Sequence, residues 1–262
     1  MDFFAGKVAV VTGGARGIGF AAARELGRRG ARIVVSDLLE DALQEAAASL
    51  RASGTDVLTL RSDVTKPEDC TALVESALDR FGRIDILVNN AGVSVVDAFE
   101  NCTPETARKL YEVNLLGQVF MTLAALPAIK ASKGYIVFMA SVSGIRAMPT
   151  GSLYASSKAA LRSLAEAIRL ELKPHGVHVG VLSPGFTVAD PRKTVMKGNG
   201  SPRPIHRPPH DTPEGVARAL AKLIERRKRE MVLTPLGKLV HLLQRLSPSL
   251  LDLLQQGREI PN

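Results

Sequence analysis

A short apolar run, Lys7 to Thr12, leads into Gly13, Gly14, Ala15, Arg16, Gly17, Ile18 and Gly19, followed by an alanine-rich stretch that reads as a helix to about Gly30. A strand, a glycine turn and a helix amino terminus in that order make an anion site. The backbone N–H groups point outward, and no Cβ blocks a pyrophosphate. The spacing Gly13-x-x-x-Gly17-x-Gly19 departs from the usual G-x-G-x-x-G, although the physical logic is the same. A glycine cluster alone is also an ordinary tight turn. Its place at the opening of the first βα unit is what makes it a nucleotide element.

The rest of the chain continues the alternation. Arg32 to Ser36, Val57 to Arg61, Ile84 to Val88, Tyr135 to Ala140, Val177 to Leu182 and Met231 to Thr234 read as strands. Asp41 to Ser53, Pro67 to Phe81, Pro104 to about Lys130 and Ser152 to Pro174 read as helices between them. A last helix runs from Thr212 to about Arg229, with Thr212-Pro213-Glu214 supplying an N-cap, a proline at N1 and an acidic first turn. Strands separated by helices predict an α/β fold with a parallel sheet, and 262 residues suffice for one large domain.

In such a sheet ligands collect at the carboxyl ends of the strands. Asp37 ends the second strand, at the distance from the glycine turn where an acidic residue grips the ribose hydroxyls of NAD. A carboxylate there repels the extra phosphate of NADP. Arg16 pulls the other way, because a guanidinium in the turn pairs with that phosphate. Asp37 is weighted more heavily, and Leu38 beside it is assigned to the same cofactor surface, as is Ile18. Asp37 also reads as an N-cap for the following helix, a role compatible with the first. Asp63 is placed to accept from an adenine amino group, with Val64 on the ring. Asn90, in Asn89-Asn90-Ala91-Gly92, either holds the cofactor ribose or braces neighbouring backbone. Asn114 lies inside a helical stretch, where asparagine is a poor helix former. A surface accident and a local bend with a bound water both account for it, the accident slightly the better.

Ser141 ends the Tyr135–Ala140 run, and Tyr154 and Lys158 follow one helical turn apart on a shared face. A lysine ammonium beside a phenol favours the phenolate and makes the tyrosine a usable proton donor and acceptor. A serine facing that helix can hold a carbonyl or hydroxyl oxygen between two donors. By itself Y-x-x-x-K is a common surface pair.

Phe186 to Asp211 is rich in Pro, Gly, Arg and Lys without clear periodicity, and it reads as a mobile lid or irregular structure over a site. From Leu236 to Leu254, Leu236, Leu239, Val240, Leu243 and Leu246 make one apolar face, with Lys238, His241 and Arg245 on another. Ser247-Pro248-Ser249 breaks this helix before Leu250, Leu251, Leu253 and Leu254. Packing on the protein body or a second subunit is the preferred reading. A basic amphipathic helix on a membrane surface is the alternative.

Composition narrows the classes further. Cys70 and Cys102 lack metal-type spacing and fit a reducing cytoplasm. The five histidines have no ligand spacing either, so no metal site is expected. The amino terminus enters a strand almost at once, which leaves no room for a signal peptide. No apolar run is read as long enough to span a bilayer. The formal charge of +8, with Arg226, Arg227, Lys228 and Arg229 clustered, lacks aromatic interleaving and does not predict nucleic-acid binding.

Together TGGARGIG, Asp63, NNAG, Asn114, Ser141, Tyr154-x-x-x-Lys158 and Pro184-Gly185 resemble the classical short-chain dehydrogenase/reductase family in order and spacing, from residue 6 to about residue 190. The resemblance implies a Rossmann-type doubly wound parallel sheet in a single domain. Residues 1–235 would form it, with a lid over 186–212 and a helical extension over 236–262. It implies that Tyr154 is the acid/base, that Lys158 lowers its pKa and holds the nicotinamide ribose, that Ser141 orients the substrate oxygen, and that Asn114 fixes a relay water by its backbone. Gly13, Gly17, Gly19, Gly92, Pro184, Gly185 and Thr187 join the NAD surface. Where the family often has an aliphatic residue and then a threonine after Pro-Gly, this chain has Thr187 and Ala189, so one hydroxyl contact to the pyrophosphate is missing. Val93, Val142, Met148 and Phe186 would flank the reacting carbon and suit a lipophilic alcohol or ketone. Arg192, Lys193, Lys197, Arg203 and Arg207 suit an acidic acyl thioester and an NADP(H)-dependent reductase instead. A dinucleotide sensor on the same fold is a third reading. A homodimer or homotetramer is the expected assembly.

Overall fold

The computed structural model describes residues 2–187, 194–204 and 211–246. The chain alternates as β1 (Val8–Thr12), α1 (Gly17–Arg28), β2 (Arg32–Asp37), α2 (Glu40–Ala52), β3 (Val57–Arg61), α3 (Pro67–Phe81) and β4 (Ile86–Asn89). It continues through α4 (Pro104–Tyr111), α5 (Gly117–Ser132), β5 (Tyr135–Met139), α6 (Ser152–Leu172) and β6 (His178–Ser183). A short pair, β7 (Thr194–Met196) and β8 (Pro202–Pro204), precedes α7 (Pro213–Glu225), β9 (Glu230–Val232) and α8 (Pro235–Leu246).

Seven strands form one parallel sheet in the order β3-β2-β1-β4-β5-β6-β9. The order reverses between β1 and β4, so the carboxyl ends of these two strands open a crevice, the usual ligand position in a doubly wound sheet. Both faces are covered, which is why every residue of β1, β4 and β5 is buried. The pleat divides β1: Ala9 and Val11 join Leu26, Leu43, Leu220 and Ile224 on one face. Val8 and Val10 join Leu73, Met121, Ile129 and Leu161 on the other. Strand β4 starts later than the apolar run predicts because Asp85 turns inward, 3 % exposed, and its carboxylate accepts from Val8 N at 2.9 Å. The Arg83 guanidinium donates to it from the outside at 2.6 Å.

Three expectations need correction. The 104–130 stretch is not one helix: a π-helical turn, Glu112–Leu116, separates α4 from α5. Across both, Pro104–Ser132 is long and apolar enough to cross a membrane, contrary to the sequence reading. Its apolar side instead covers the sheet, with Met121, Ala125 and Ile129 buried in the core. The third concerns the lid, which is not wholly irregular. β7 and β8 pair antiparallel, and Val195 is 9 % exposed. Ala189, Arg192, Lys193 and Arg207 lie outside the described residues, as does everything beyond Leu246.

Candidate active site

The glycine turn is built by close approach. Gly13 has φ +58°, and a Cβ there would sit 2.8 Å from the Ala91 Cα. A Cβ on Gly19 would fall on the Gly13 carbonyl and 2.5 Å from Asn90 Nδ2. Asn90 has no freedom to turn away, because Nδ2 donates to the Thr12 and Gly13 carbonyls, both at 2.9 Å. Asn90 thus braces the turn. No side chain caps α1, in contrast to Thr103 on α4 and Thr212 on α7. The first-turn amides of α1, from Gly17 to Gly19, are thereby left for an anion.

Asp37 closes this turn from β2. Its Oδ2 accepts from Ala15 N at 3.3 Å, and its Oδ1 accepts from Leu38 N at 2.8 Å and Leu39 N at 3.3 Å. The N-cap of α2 is Leu39, so Asp37 ties the turn to the β2 end rather than capping the helix itself. Among the described residues the Arg16 guanidinium has no hydrogen-bond or ion-pair partner. Asp63 at the β3 end accepts from the Thr65 N–H and hydroxyl at 3.0 and 2.8 Å. Val64 is 7 % exposed, and a Cβ on Gly117 would come within 2.7 Å of it. Exposed Leu38 (48 %) lies beside Asp37.

The π turn explains Asn114. It is fully buried, so a local bend rather than a surface accident accounts for it. Its Oδ1 accepts from Val93 N at 2.8 Å, and its Nδ2 donates to the Val93 carbonyl at 2.9 Å and to Ser157 Oγ at 3.1 Å. One amide therefore clamps both backbone groups of Val93 and reaches helix α6. Gly92 packs tightly here, since a Cβ would stand 3.2 Å from Asn114 Oδ1 and in ordinary contact, 3.5 Å, with Lys158 Nζ.

Ser141 is the N-cap of a 3₁₀ turn, Val142–Gly144, and its Oγ accepts from Ser143 N at 3.1 Å. Val142 N donates to the Pro184 carbonyl at 3.0 Å, tying this turn to the β6 end. A Cβ on Gly144 would be 2.7 Å from the Lys158 carbonyl carbon, so the turn rests on the backbone of α6. Tyr154 and Lys158 share one face of that helix, with Lys158 Nζ 5.8 Å from the tyrosine ring centroid. Lys158 is 4 % exposed and donates to the Met139 carbonyl at 2.9 Å. Burial pushes the Tyr154 phenol above its ordinary pKa of 10.0, while hydrogen bonding with the Ser141 and Ser94 side chains pulls it down. Burial outweighs the serines, so the phenol is held above its ordinary range.

Ser94 was not foreseen. Its only sequence signal is its position just after NNAG. On the substrate side, Val93 packs in one cluster with Tyr154, Val95 and Met196. Val142 and Met148 are half-buried, and Phe186 is 43 % exposed. The Thr187 hydroxyl donates to the Gly185 carbonyl at 3.3 Å. A Cβ on Gly237 would be 2.9 Å from Val142, which brings the start of α8 against the site. Among the described residues no three His, Cys, Asp or Glu side chains gather as metal ligands.

This geometry can be set beside known proteins. The short chain dehydrogenase family profile matches residues 7–200. 11-beta-hydroxysteroid dehydrogenase A of Sesamum indicum is 41 % identical over 184 residues, which are 70 % of this chain and 53 % of that protein. The chain thus spans about half the length of the first curated relatives it matches. Trans-4-hydroxycyclohexanecarboxylate dehydrogenase of Sinomonas cyclohexanicum is 34 % identical, with 76 % and 79 % of the two chains covered. Among solved structures, a short chain dehydrogenase/reductase of Burkholderia phymatum in complex with NAD superposes with TM-score 0.84 and 25 % identity over 100 % of both chains. An alcohol dehydrogenase of Thermococcus sibiricus complexed with 5-hydroxy-NADP gives TM-score 0.76 and 30 % identity, covering 87 % and 95 %. With the switch-point crevice and the Ser141, Tyr154 and Lys158 cluster already in place, the match over residues 7–200 settles the family: this chain is a short-chain dehydrogenase/reductase.

Proposed function

We propose that the chain is an NAD(H)-dependent oxidoreductase that interconverts a secondary alcohol and a ketone on a lipophilic, steroid-like or long-chain substrate. The observation that carries this reading is the convergence of Ser141, Tyr154 and Lys158 beside the crevice between β1 and β4. The site residues fit a dinucleotide. The uncapped start of α1 takes the pyrophosphate, Asp37 takes the adenosine ribose hydroxyls, and Lys158 takes the nicotinamide ribose. When bound, NAD(P) supplies the hydride donor or acceptor.

The chain's own residues handle position and the proton. Ser141 holds the substrate oxygen, and Tyr154 gives a proton to it or takes one from it. A phenol kept neutral by burial is a competent donor for ketone reduction. Alcohol oxidation needs the phenolate, which a cationic Lys158 favours once its Nζ is drawn toward bound ribose. The half-buried Val93, Val142 and Met148 beside the site support an apolar substrate. The names of the steroid and alcohol dehydrogenase relatives support the same class.

The Arg16 guanidinium, without a partner among the described residues, supports a second reading, an NADP(H)-dependent reductase of an acidic 3-oxoacyl thioester, whose acid the lid cations Lys197 and Arg203 would suit. One panel separates the readings: ketones, secondary alcohols and acyl thioesters, each with NAD(H) and NADP(H), followed by coenzyme absorbance. Turnover of an apolar ketone with NADH is the expected result. Turnover confined to thioesters with NADPH would favour the second reading, and no turnover on any member would favour a sensor.

A further inference from the structure

We infer that Asp97 is a positioning residue that fastens the β7–β8 hairpin to the exit of β4, and that this fastening makes Met196 a specificity-determining wall beside Tyr154. The inference deepens the proposed function and rests on Tyr154 as the acid/base.

Strand β7 lies along the 94–96 backbone as a parallel strand. Met196 N donates to the Ser94 carbonyl at 2.8 Å, and the Met196 carbonyl accepts from Val96 N at 2.9 Å, around the bridge between Val95 and Met196. A parallel ladder would next send Gly198 N to the Val96 carbonyl. Gly198 N donates instead to Asp97 Oδ2 at 2.9 Å, so a side chain takes over where the backbone pairing stops. The Gly198 carbonyl in turn accepts at 2.9 Å from the N–H of Thr103, the N-cap of α4. Gly198 is buried in this seat, and a Cβ on it would collide with the Asn101 carbonyl. Beyond it the chain turns back into β8, with Gly200 N donating to the Lys197 carbonyl at 2.9 Å and Lys197 N to the Ser201 carbonyl at 2.8 Å.

The Asp97 carboxylate is itself held in place. Its Oδ1 accepts from Ala98 N at 2.8 Å and from Asn101 Nδ2 at 2.9 Å. Its own N–H donates to the Thr150 carbonyl at 2.9 Å, one residue before Gly151, the N-cap of α6. One aspartate therefore joins the hairpin, the approach to α4 and the segment that leads into the Tyr154 helix. The bond from Asn101, then that from Gly198, hold the carboxyl below its ordinary value of 3.8, so these bonds are charge-assisted at neutral pH.

Met196 is the side chain that this arrangement brings to the site. It packs against the buried trio Val95, Leu110 and Leu153, and so do Tyr154 and Val93. Backbone bonds to residues 94 and 96 fix where its flexible thioether side chain starts. Substrate bulk on that flank of the acid/base meets Met196, and a hairpin that leaves Asp97 takes this wall away.

Trypsin tests the fastening without substrate or coenzyme. Lys197 is exposed but Gly198 is buried, so cleavage between them requires the hairpin to leave its seat. The cut is read by mass as fragments 1–197 and 198–262, with cuts elsewhere in the chain as internal reference. Asp97→Ala keeps the N–H for Thr150 and removes the carboxylate. Losing a bond to a charged acceptor should speed this cut about tenfold. An unchanged rate would overturn the fastening. If Asp97→Ala fails to fold, Gly198→Ala, which disturbs the seat from the other side, takes its place with the same two outcomes. The wall is tested with a small and a bulky cyclic ketone that the enzyme turns over. Met196→Ala should move the kcat/KM ratio about tenfold toward the bulky one. Asp97→Ala should move it the same way through KM rather than kcat, and the double variant should go no further than Met196→Ala alone. A ratio unmoved by Met196→Ala would overturn the wall. Should the dehydrogenase reading itself fail, no ketone is turned over, while the cut after Lys197 still reports on Asp97.

Discussion

Removing the Asn114 amide is the most informative structural perturbation. Asn114→Ala deletes the acceptor of Val93 N at 2.8 Å and the donor to the Val93 carbonyl at 2.9 Å, together with the bond to Ser157 at 3.1 Å. Each buried polar group left without a partner costs about 1–3 kcal/mol. Val93 is only half-buried, which places its two backbone groups at the low end, so the expected loss is about 2–3 kcal/mol in all. That is a large share of the ~5–15 kcal/mol that keeps a domain folded. Urea unfolding followed by circular dichroism reads it as a lower midpoint at unchanged m. Asn114→Asp keeps the acceptor for Val93 N but not the two donated bonds, so it should also be destabilised. A loss for Asn114→Ala below about 0.5 kcal/mol would refute the clamp, because surface changes commonly fall within that range.

Three further outcomes follow from the same geometry. Asp37→Ser should shift preference toward NADP(H) by about tenfold or more, since a repelling carboxylate goes and Arg16 stays; coenzyme titration of both proteins checks it. Burial, then the nearby Asp69, Asp63 and Glu68 charges, push the Cys70 thiol from 9.0 to about 11. A raised folded pKa means this stability is present below pH 9 and lost as pH rises through about 11. Unfolding midpoints of wild type and Cys70→Ala should therefore differ in slope across that window, and a thiol reagent should label half-buried Cys102 before Cys70 in the folded chain. Leu239, Leu242 and Leu246 are 52, 53 and 73 % exposed along α8, next to exposed Lys238. If this edge meets anionic lipid, co-sedimentation with anionic vesicles should weaken in salt and vanish on truncation after Pro235. Equal binding to neutral vesicles, or none, would count against it.

The strand–helix alternation was legible because a parallel sheet covered on both faces writes near-continuous apolar runs, such as Val8–Thr12 and Tyr135–Met139. Tyr154 and Lys158 were legible because helical spacing alone puts them on one face. What was hidden depends on partners distant in sequence. Asn114 looks like a flaw in a helix until the π turn and Val93 are seen together. The bracing role of Asn90 shows only in its bonds to Thr12 and Gly13, far away in sequence. The β7–β8 pair escaped because strands of three residues, one of them flanked by two prolines, are too short to show a period. The Tyr154 pKa went the other way from expectation because burial is a property of packing, which the Y-x-x-x-K spacing does not contain. Pro104–Ser132 passed for a shorter apolar run because its apolar content is spread over two helices and the π turn between them.

The central claim, that Tyr154 moves the proton at a carbonyl or alcohol oxygen, is tested most directly by Tyr154→Phe. The substitution removes one hydroxyl and leaves the glycine turn, Asp37 and Lys158 in place. Turnover of the best substrate from the panel and coenzyme affinity by fluorescence titration should be measured on the same preparation. The account predicts a loss of turnover of a hundredfold or more, in the ~10²–10⁴ range of general acid–base catalysis, with coenzyme affinity nearly unchanged. Turnover within a few-fold of wild type, at normal coenzyme affinity, would contradict it.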